Sequence, residues 1–208
     1  MSLAEQFKDW LGVEAVPAAK KGTFVGFRIG FVDLESFGLN GSVHAIICGC
    51  VADAFGRVTT ITRRDRRYYT GDPLDDSKLA EAIRDEWERY DILVGWNSGG
   101  FDLPFLNARL LRAGRRPIRS DVMHIDLMWR YGGKSRWSAR MGRRSLDNIS
   151  KAFKTPHVKE PLDWEMWERA RSGDGKAEKL IISHCEADVL ATRDVFAYSK
   201  PLIQNIHR

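Results

Sequence analysis

Nowhere in its 208 residues does the chain carry the roughly 20 consecutive apolar residues that a membrane-spanning helix needs. Its N-terminus, MSLAEQFKDW, also lacks the basic-then-apolar order of a secretory signal. A soluble, cytoplasmic protein with no membrane partner is therefore expected. Cysteine is scarce, with only Cys48, Cys50 and Cys185 and no C-x-x-C pair. A strand would point Cys48 and Cys50 off one face, which fits neither a disulfide framework nor a zinc cage. All three read as small core residues in a reducing compartment. Internal repeats and low-complexity tails are missing as well.

What is present is enough to build a core. A 43 % apolar fraction over this length makes one globular domain the default. The net charge of +5 and a pI near 9.2 admit a polyanionic partner, although basic surfaces also serve solubility. Arginines gather at Arg63 to Arg67, at Arg109 to Arg119 and in RYGGKSRWSARMGRR, which spans Arg130 to Arg144. Such runs often form a plain solvated face. Tyr131 and Trp137 favour nucleic acid for the last run, because bases stack on such rings while phosphates meet the cations.

Leu3, Phe7, Trp10 and Leu11 recur at helical spacing. Residues 1–22 are accordingly expected to be an accessory helix and linker, and residues 23–208 a single domain. From Thr23 onward the pattern is that of strands: FVGFRIGFVDLES, VHAIICGCVA and GRVTTITR, joined by the Gly- and Asn-bearing FGLNG and DAFG. Three antiparallel neighbours follow. The charged stretch Asp76 to Tyr90, with Leu79, Ile83 and Trp87 in period, predicts a helix, and DILVGW a strand buried on both faces. After the NSGG loop, FDLPFLNARLLRAG starts a helix whose Pro104 suits the first turn. A short apolar piece, VMHIDLMW, precedes the basic segment. Helices then follow in RSLDNISKAF, around DWEMWERAR, and from about Lys176 to Tyr198. The fold class is α/β, a mixed sheet with its first strand central and helices on its faces.

Four carboxylates stand out within this frame. Asp33 and Glu35 lie two apart in an otherwise apolar strand, so both leave the same face. Like charges so close raise each other's pKa unless something cationic lies nearby. Asp102 falls in the first turn of a helix, where the macrodipole favours an anion; on its own it could be an ordinary helix-start acid. Asp188 lies at the border of the apolar stripe of the last helix, where a lone carboxylate would be costly to desolvate. His184 is one turn earlier on the same face.

The segments FVDLES, GWNSGGFDLPFL and HCEADVLAT resemble, in order and spacing, the three motifs of the DEDD 3′-5′ exonucleases, which have the ribonuclease H-like fold. The second, with Asn97, Phe101, Asp102 and Pro104, is similar to the motif of proofreading domains in family B DNA polymerases. The resemblance covers roughly Thr23 to Ser199 and implies a free-standing exonuclease. It further implies that Asp33, Glu35, Asp102 and Asp188 hold two divalent cations, Mg²⁺ or Mn²⁺. Hard cations prefer such oxygen ligands, and a metal pair suits in-line displacement at phosphorus. Single-stranded DNA is the expected substrate, and a replication or repair polymerase a candidate partner. RNA is the alternative polymer, and a catalytically silent nucleic-acid-binding module the alternative of another class.

One position departs from the pattern. The superfamily has a Tyr with three residues before the last Asp, or a His with four; here His184 has three, and Ser183 stands where the His subclass places its base. The chain is thus closest to the Tyr subclass with Tyr replaced. An imidazole, with an ordinary pKa near 6.5, can accept a proton from water at neutral pH. His184 is therefore expected to act as general base, with a structural histidine as the other reading. Nucleic-acid contacts are expected from Asn97, Ser98 and Phe101 of the Gly-bearing loop and from Arg136, Arg140 and Arg143. Asn97 could equally cap its loop. Trp164 and Trp167 read as packing residues, Asp126 and Asp147 as fold supports, and Glu186 as a surface acid.

Overall fold

The structure, a computed structural model, describes residues 27–72, 74–132, 138–158 and 162–203. The expected N-terminal helix and its boundary at residue 22 lie outside these residues. Five strands form one sheet: β1 (Ile29–Ser36), β2 (Ile46–Asp53), β3 (Val58–Thr62), β4 (Ile92–Gly95) and β5 (Met123–Asp126), in the order β3-β2-β1-β4-β5. The pairs β1–β2 and β2–β3 are antiparallel, and β1–β4 and β4–β5 parallel. The mixed sheet with a central first strand is what the hydrophobic patterning predicts.

Alternation along the strands divides the interior in two. On one face Val32, Leu34, Ile46, Val51 and Leu93 pack against helices α1 (Ser77–Trp87) and α2 (Asp102–Arg112). Leu79, Ile83 and Trp87 form the buried stripe of α1 at the spacing of successive turns. On the other face Phe31, Ile47, Cys48, Cys50, Ile92, Val94 and Ile125 meet α4 (Glu165–Arg171) and α5 (Gly175–Ser199). Asp174 starts α5 by accepting the Lys176 and Ala177 N–H groups, an ordinary N-cap. Helix α3 (Leu146–Phe153) begins on Ser145, ends on the left-handed Lys154 (φ 52°), and packs Leu146 and Ile149 on Ala191 and Val195 of α5. No helix among the described residues is long and apolar enough to cross a membrane.

A buried ion pair ties the first face together. Asp76, at the N-cap of α1, accepts the Ile46 N–H at 2.7 Å and two guanidinium donors of Arg109 at 2.7–3.0 Å. Arg109, 4 % exposed, also donates to the Gly41 carbonyl. Start of β2, start of α1 and middle of α2 thus share one carboxylate. Removing one partner of such a pair strands the other charge in a dry interior, which costs about 3–5 kcal/mol. Asp76→Ala should lower the urea unfolding free energy by that amount; a drop under about 1 kcal/mol would show that Arg109 is solvated instead.

Candidate active site

The end of β1 carries the acidic pair. Asp33 and Glu35 share the face of Phe31, while Val32 and Leu34 are buried toward α1 and α2. Across the β1–β2 ladder Asp33 pairs with Cys50 and Glu35 with Cys48. Helix α5 covers this face: the Cys185 thiol donates to the Asp33 carbonyl at 3.4 Å, and Phe196 meets Phe31 edge-on at 5.3 Å. Asp188, between those two contacts along α5, is 2 % exposed. His184 Nε2 lies 3.7 Å from Asp188 Oδ2, and the edge of Trp167 packs on its ring at 6.4 Å. A buried histidine and a buried carboxylate thus sit one turn apart on the helix that covers the acidic pair.

Asp102 comes from the other side. The parallel ladder of β1 with β4 ends at the pair Phe31–Val94, so β1 continues without that neighbour. Asp102 Oδ1 accepts the Leu34 N–H at 2.8 Å in a buried bond. The amide between the two acids of β1 thereby fixes the third, which is 4 % exposed at the first turn of α2. Asp102 thus meets the C-terminal end of the strand that bears Asp33 and Glu35, and Asp188 lies on the helix that covers the same strand. Oxygen-only donors of this kind suit hard divalent cations, so the residues fit the Mg²⁺ or Mn²⁺ pair expected there.

The link from β4 to α2 is held by Asp126 at the end of β5. Its carboxylate accepts the N–H groups of Asn97 (2.9 Å), Gly99 (3.1 Å) and Met128 (3.1 Å). Asn97 is left-handed (φ 60°), and its carbonyl accepts from Gly100 and Phe101, which turns the chain into α2. Gly95 is needed where β4 stops, because a Cβ there would sit 2.2 Å from Ser98 Oγ.

A family model for the RNase_H superfamily matches residues 30–199, most of the chain and, but for Ile29, all of the elements just described. The chain belongs to the RNase H superfamily. Among solved structures, the family B DNA polymerase of the hyperthermophilic archaeon Pyrobaculum calidifontis is similar, with a TM-score of 0.61 at 17 % identity. The match covers 87 % of this chain and 25 % of the polymerase, so this chain spans a quarter of that protein's length. At that identity the likeness is one of fold. No curated protein sequence matches significantly.

Other expected site residues are distributed unevenly in this RNase H-type domain. Ser98 is fully buried with its hydroxyl 2.8 Å from His124 Nε2, so its side chain braces the loop; the exposed Gly99 and Gly100 take the surface position expected for it. Phe101 is half-buried and its ring meets that of Phe105 at a tilt of 43°, centroids 5.2 Å apart. Arg140 and Arg143 are exposed, and Arg136 lies outside the described residues, as does Trp137. Tyr131 is not a stacking platform: it is buried, bonds Ser199 Oγ at 2.6 Å, and burial pushes its hydroxyl pKa up to about 12. Glu186 is not a plain surface acid either, since it accepts from Thr60 of β3 at 2.6 Å.

The other two arginine clusters are largely engaged within the molecule. Arg115 reaches Glu81, Arg116 and Arg119 reach Glu88, Arg67 pairs with Asp65, and Arg63 lies over the Phe37 ring.

Asp126, read from the sequence as a fold support, does hold the turn before α2. The thiols of Cys48, Cys50 and Cys185 also converge, which spacing gave no reason to expect. Hydrogen bonds from the Cys185 and Cys48 thiols hold Cys50 well below the ordinary thiol range, whereas burial pushes Cys185 up.

Asp126→Ala should expose the amides it accepts from. Hydrogen–deuterium exchange at Asn97 and Gly99 should accelerate, and the unfolding free energy should fall by about 2–3 kcal/mol. Unchanged protection at both amides would mean that the carboxylate does not hold the loop.

Proposed function

We propose that this RNase H-superfamily chain is a metal-dependent 3′-5′ exonuclease that removes nucleoside 5′-monophosphates from single-stranded or unpaired 3′ ends of DNA. The observation that carries this reading is the Asp102–Leu34 bond, which brings a third carboxylate to the strand already bearing Asp33 and Glu35. When bound, two divalent cations held by these four acids would make water nucleophilic at neutral pH and neutralise charge on the scissile phosphate.

The chain's own residues do the rest. His184 Nε2 takes the proton from the attacking water, and the neighbouring Asp188 carboxylate stabilises the imidazolium that results. Trp167 at the ring edge fixes the imidazole's orientation. The exposed Gly99 and Gly100, with no side chains, let the terminal sugar-phosphate approach Asp102 closely. Arg140 and Arg143 grip the upstream strand. That basic segment is moored beside the loop, because Trp96 Nε1 donates to the Arg144 carbonyl at 3.2 Å.

With Mg²⁺ or Mn²⁺, 3′-labelled single-stranded DNA should yield labelled mononucleotide at once, and 5′-labelled DNA a ladder that shortens; EDTA should stop both. RNA run in parallel decides the polymer. Asp33→Asn and Asp188→Asn should each reduce turnover by about 10³-fold or more. No metal-dependent release from either polymer would leave only a binding module.

His184→Ala should lose about 10²-fold or more in kcat and the acid limb of the pH–rate profile. If His184→Ala and His184→Tyr both keep wild-type turnover from pH 6 to 9, the histidine has no catalytic part. For Arg140 and Arg143, a double alanine variant should flatten the salt dependence of DNA affinity. The log–log slope should fall by about 0.7 for each phosphate that is no longer neutralised. An unchanged slope removes both arginines from the interface.

A further inference from the structure

The chain has only three cysteines, and the fold brings all of them to one point. Cys48 and Cys50 leave the same face of β2, and Cys185 descends onto that face from α5, far away in sequence. All three are fully buried, and their sulfur atoms lie within 4.8 Å of one another. The acids pair in register with the two strand cysteines, yet the sulfurs form a donor set of different hardness from those oxygens.

A metal–sulfur bond of about 2.3 Å separates the sulfurs of a trigonal or tetrahedral site by about 3.8–4.0 Å. Small side-chain adjustments within the observed envelope reach that spacing. A disulfide meets the geometry less well. Cys48 and Cys50 are second neighbours on one strand with parallel Cβ directions, and any bond from Cys185 leaves the third thiol over. Polar groups already surround the sulfurs: Thr60 Oγ1 lies 3.8 Å from Cys50 Sγ and itself bonds Glu186, and the Asp33 carbonyl accepts from Cys185. Such outer contacts orient ligands in thiolate sites.

We infer that Cys48, Cys50 and Cys185 form a three-thiolate site for one soft cation, Zn²⁺ or Cu⁺, separate from the hard-cation site at the carboxylates. Three thiolates favour soft metals over Mg²⁺ and Mn²⁺, so excess Mg²⁺ does not compete for the sulfur site. Because the thiols are fully buried, the ion enters while the chain folds, and binding stabilises the folded state. The bound ion ties β2 to α5 beside the strand that carries Asp33.

Cd²⁺ is the probe, since thiolate ligation gives it an ultraviolet charge-transfer band. The full chain is refolded under a thiol-free reductant with excess Mg²⁺ and one equivalent of Cd²⁺, then desalted. One Cd²⁺ per chain is expected, with the charge-transfer band and a Tm about 5–10 °C above that of metal-free protein. Cys185→Ala should lose the band and the retained metal, whereas Asp188→Asn should keep both. Folded wild-type protein that retains less than about 0.1 Cd²⁺ per chain, or shows no band, overturns the proposal whether or not the cysteine variant folds. Retention by Cys185→Ala equal to wild type overturns it as well.

Discussion

The early end of the β1–β4 ladder is the constraint on which the rest of the site depends. Beyond Phe31 the central strand runs on without its parallel neighbour, and the Leu34 N–H needs another acceptor. A buried N–H left unsatisfied costs about 1–3 kcal/mol. The Asp102 carboxylate fills that role, and doing so forces α2 to begin beside the acidic pair. Asp76 holds the same helix two turns later through Arg109, so both ends of the arrangement are anchored in polar contacts that the interior cannot replace with water.

Helix α5 is the second wall of the site, and its environment explains its composition. It packs on the sheet, on α3 and on α4, so it has little face left for ordinary solvation. Polar residues inside it are each given a task. Ser199 meets the Tyr131 hydroxyl, Asp194 bonds His157 and Arg193, and His184 faces Asp188. A helix held on three sides is a rigid carrier for an acid and an imidazole that must keep their positions relative to a strand.

The positive charge of the chain looks different in three dimensions than in one. Two of the three arginine clusters are largely drawn into pairs with Glu81, Glu88 and Asp65 or onto an aromatic ring. Charge density along the sequence does not register which acids fold back upon it. The segment near Arg140 and Arg143 stays exposed and is attached to the loop that precedes Asp102. Exposed positive charge is thereby concentrated beside that loop.

Local patterning was enough to determine the strands, the order of helices, the central place of β1 and the shared face of Asp33 and Glu35, because each follows from a period of two or of 3.6 residues. It also marked Asp188 as an acid in a costly place and Asp102 as one at the start of a helix. Only the tertiary structure decided that Asp102 reaches the Leu34 amide, that Asp126 gathers the turn before α2, that Ser98 and Tyr131 point inward, and that three scattered cysteines meet. The physical reason is the same for all of these. Each depends on where a chain segment ends and what then covers it, and neither side-chain periodicity nor motif spacing encodes contacts between residues far apart along the chain.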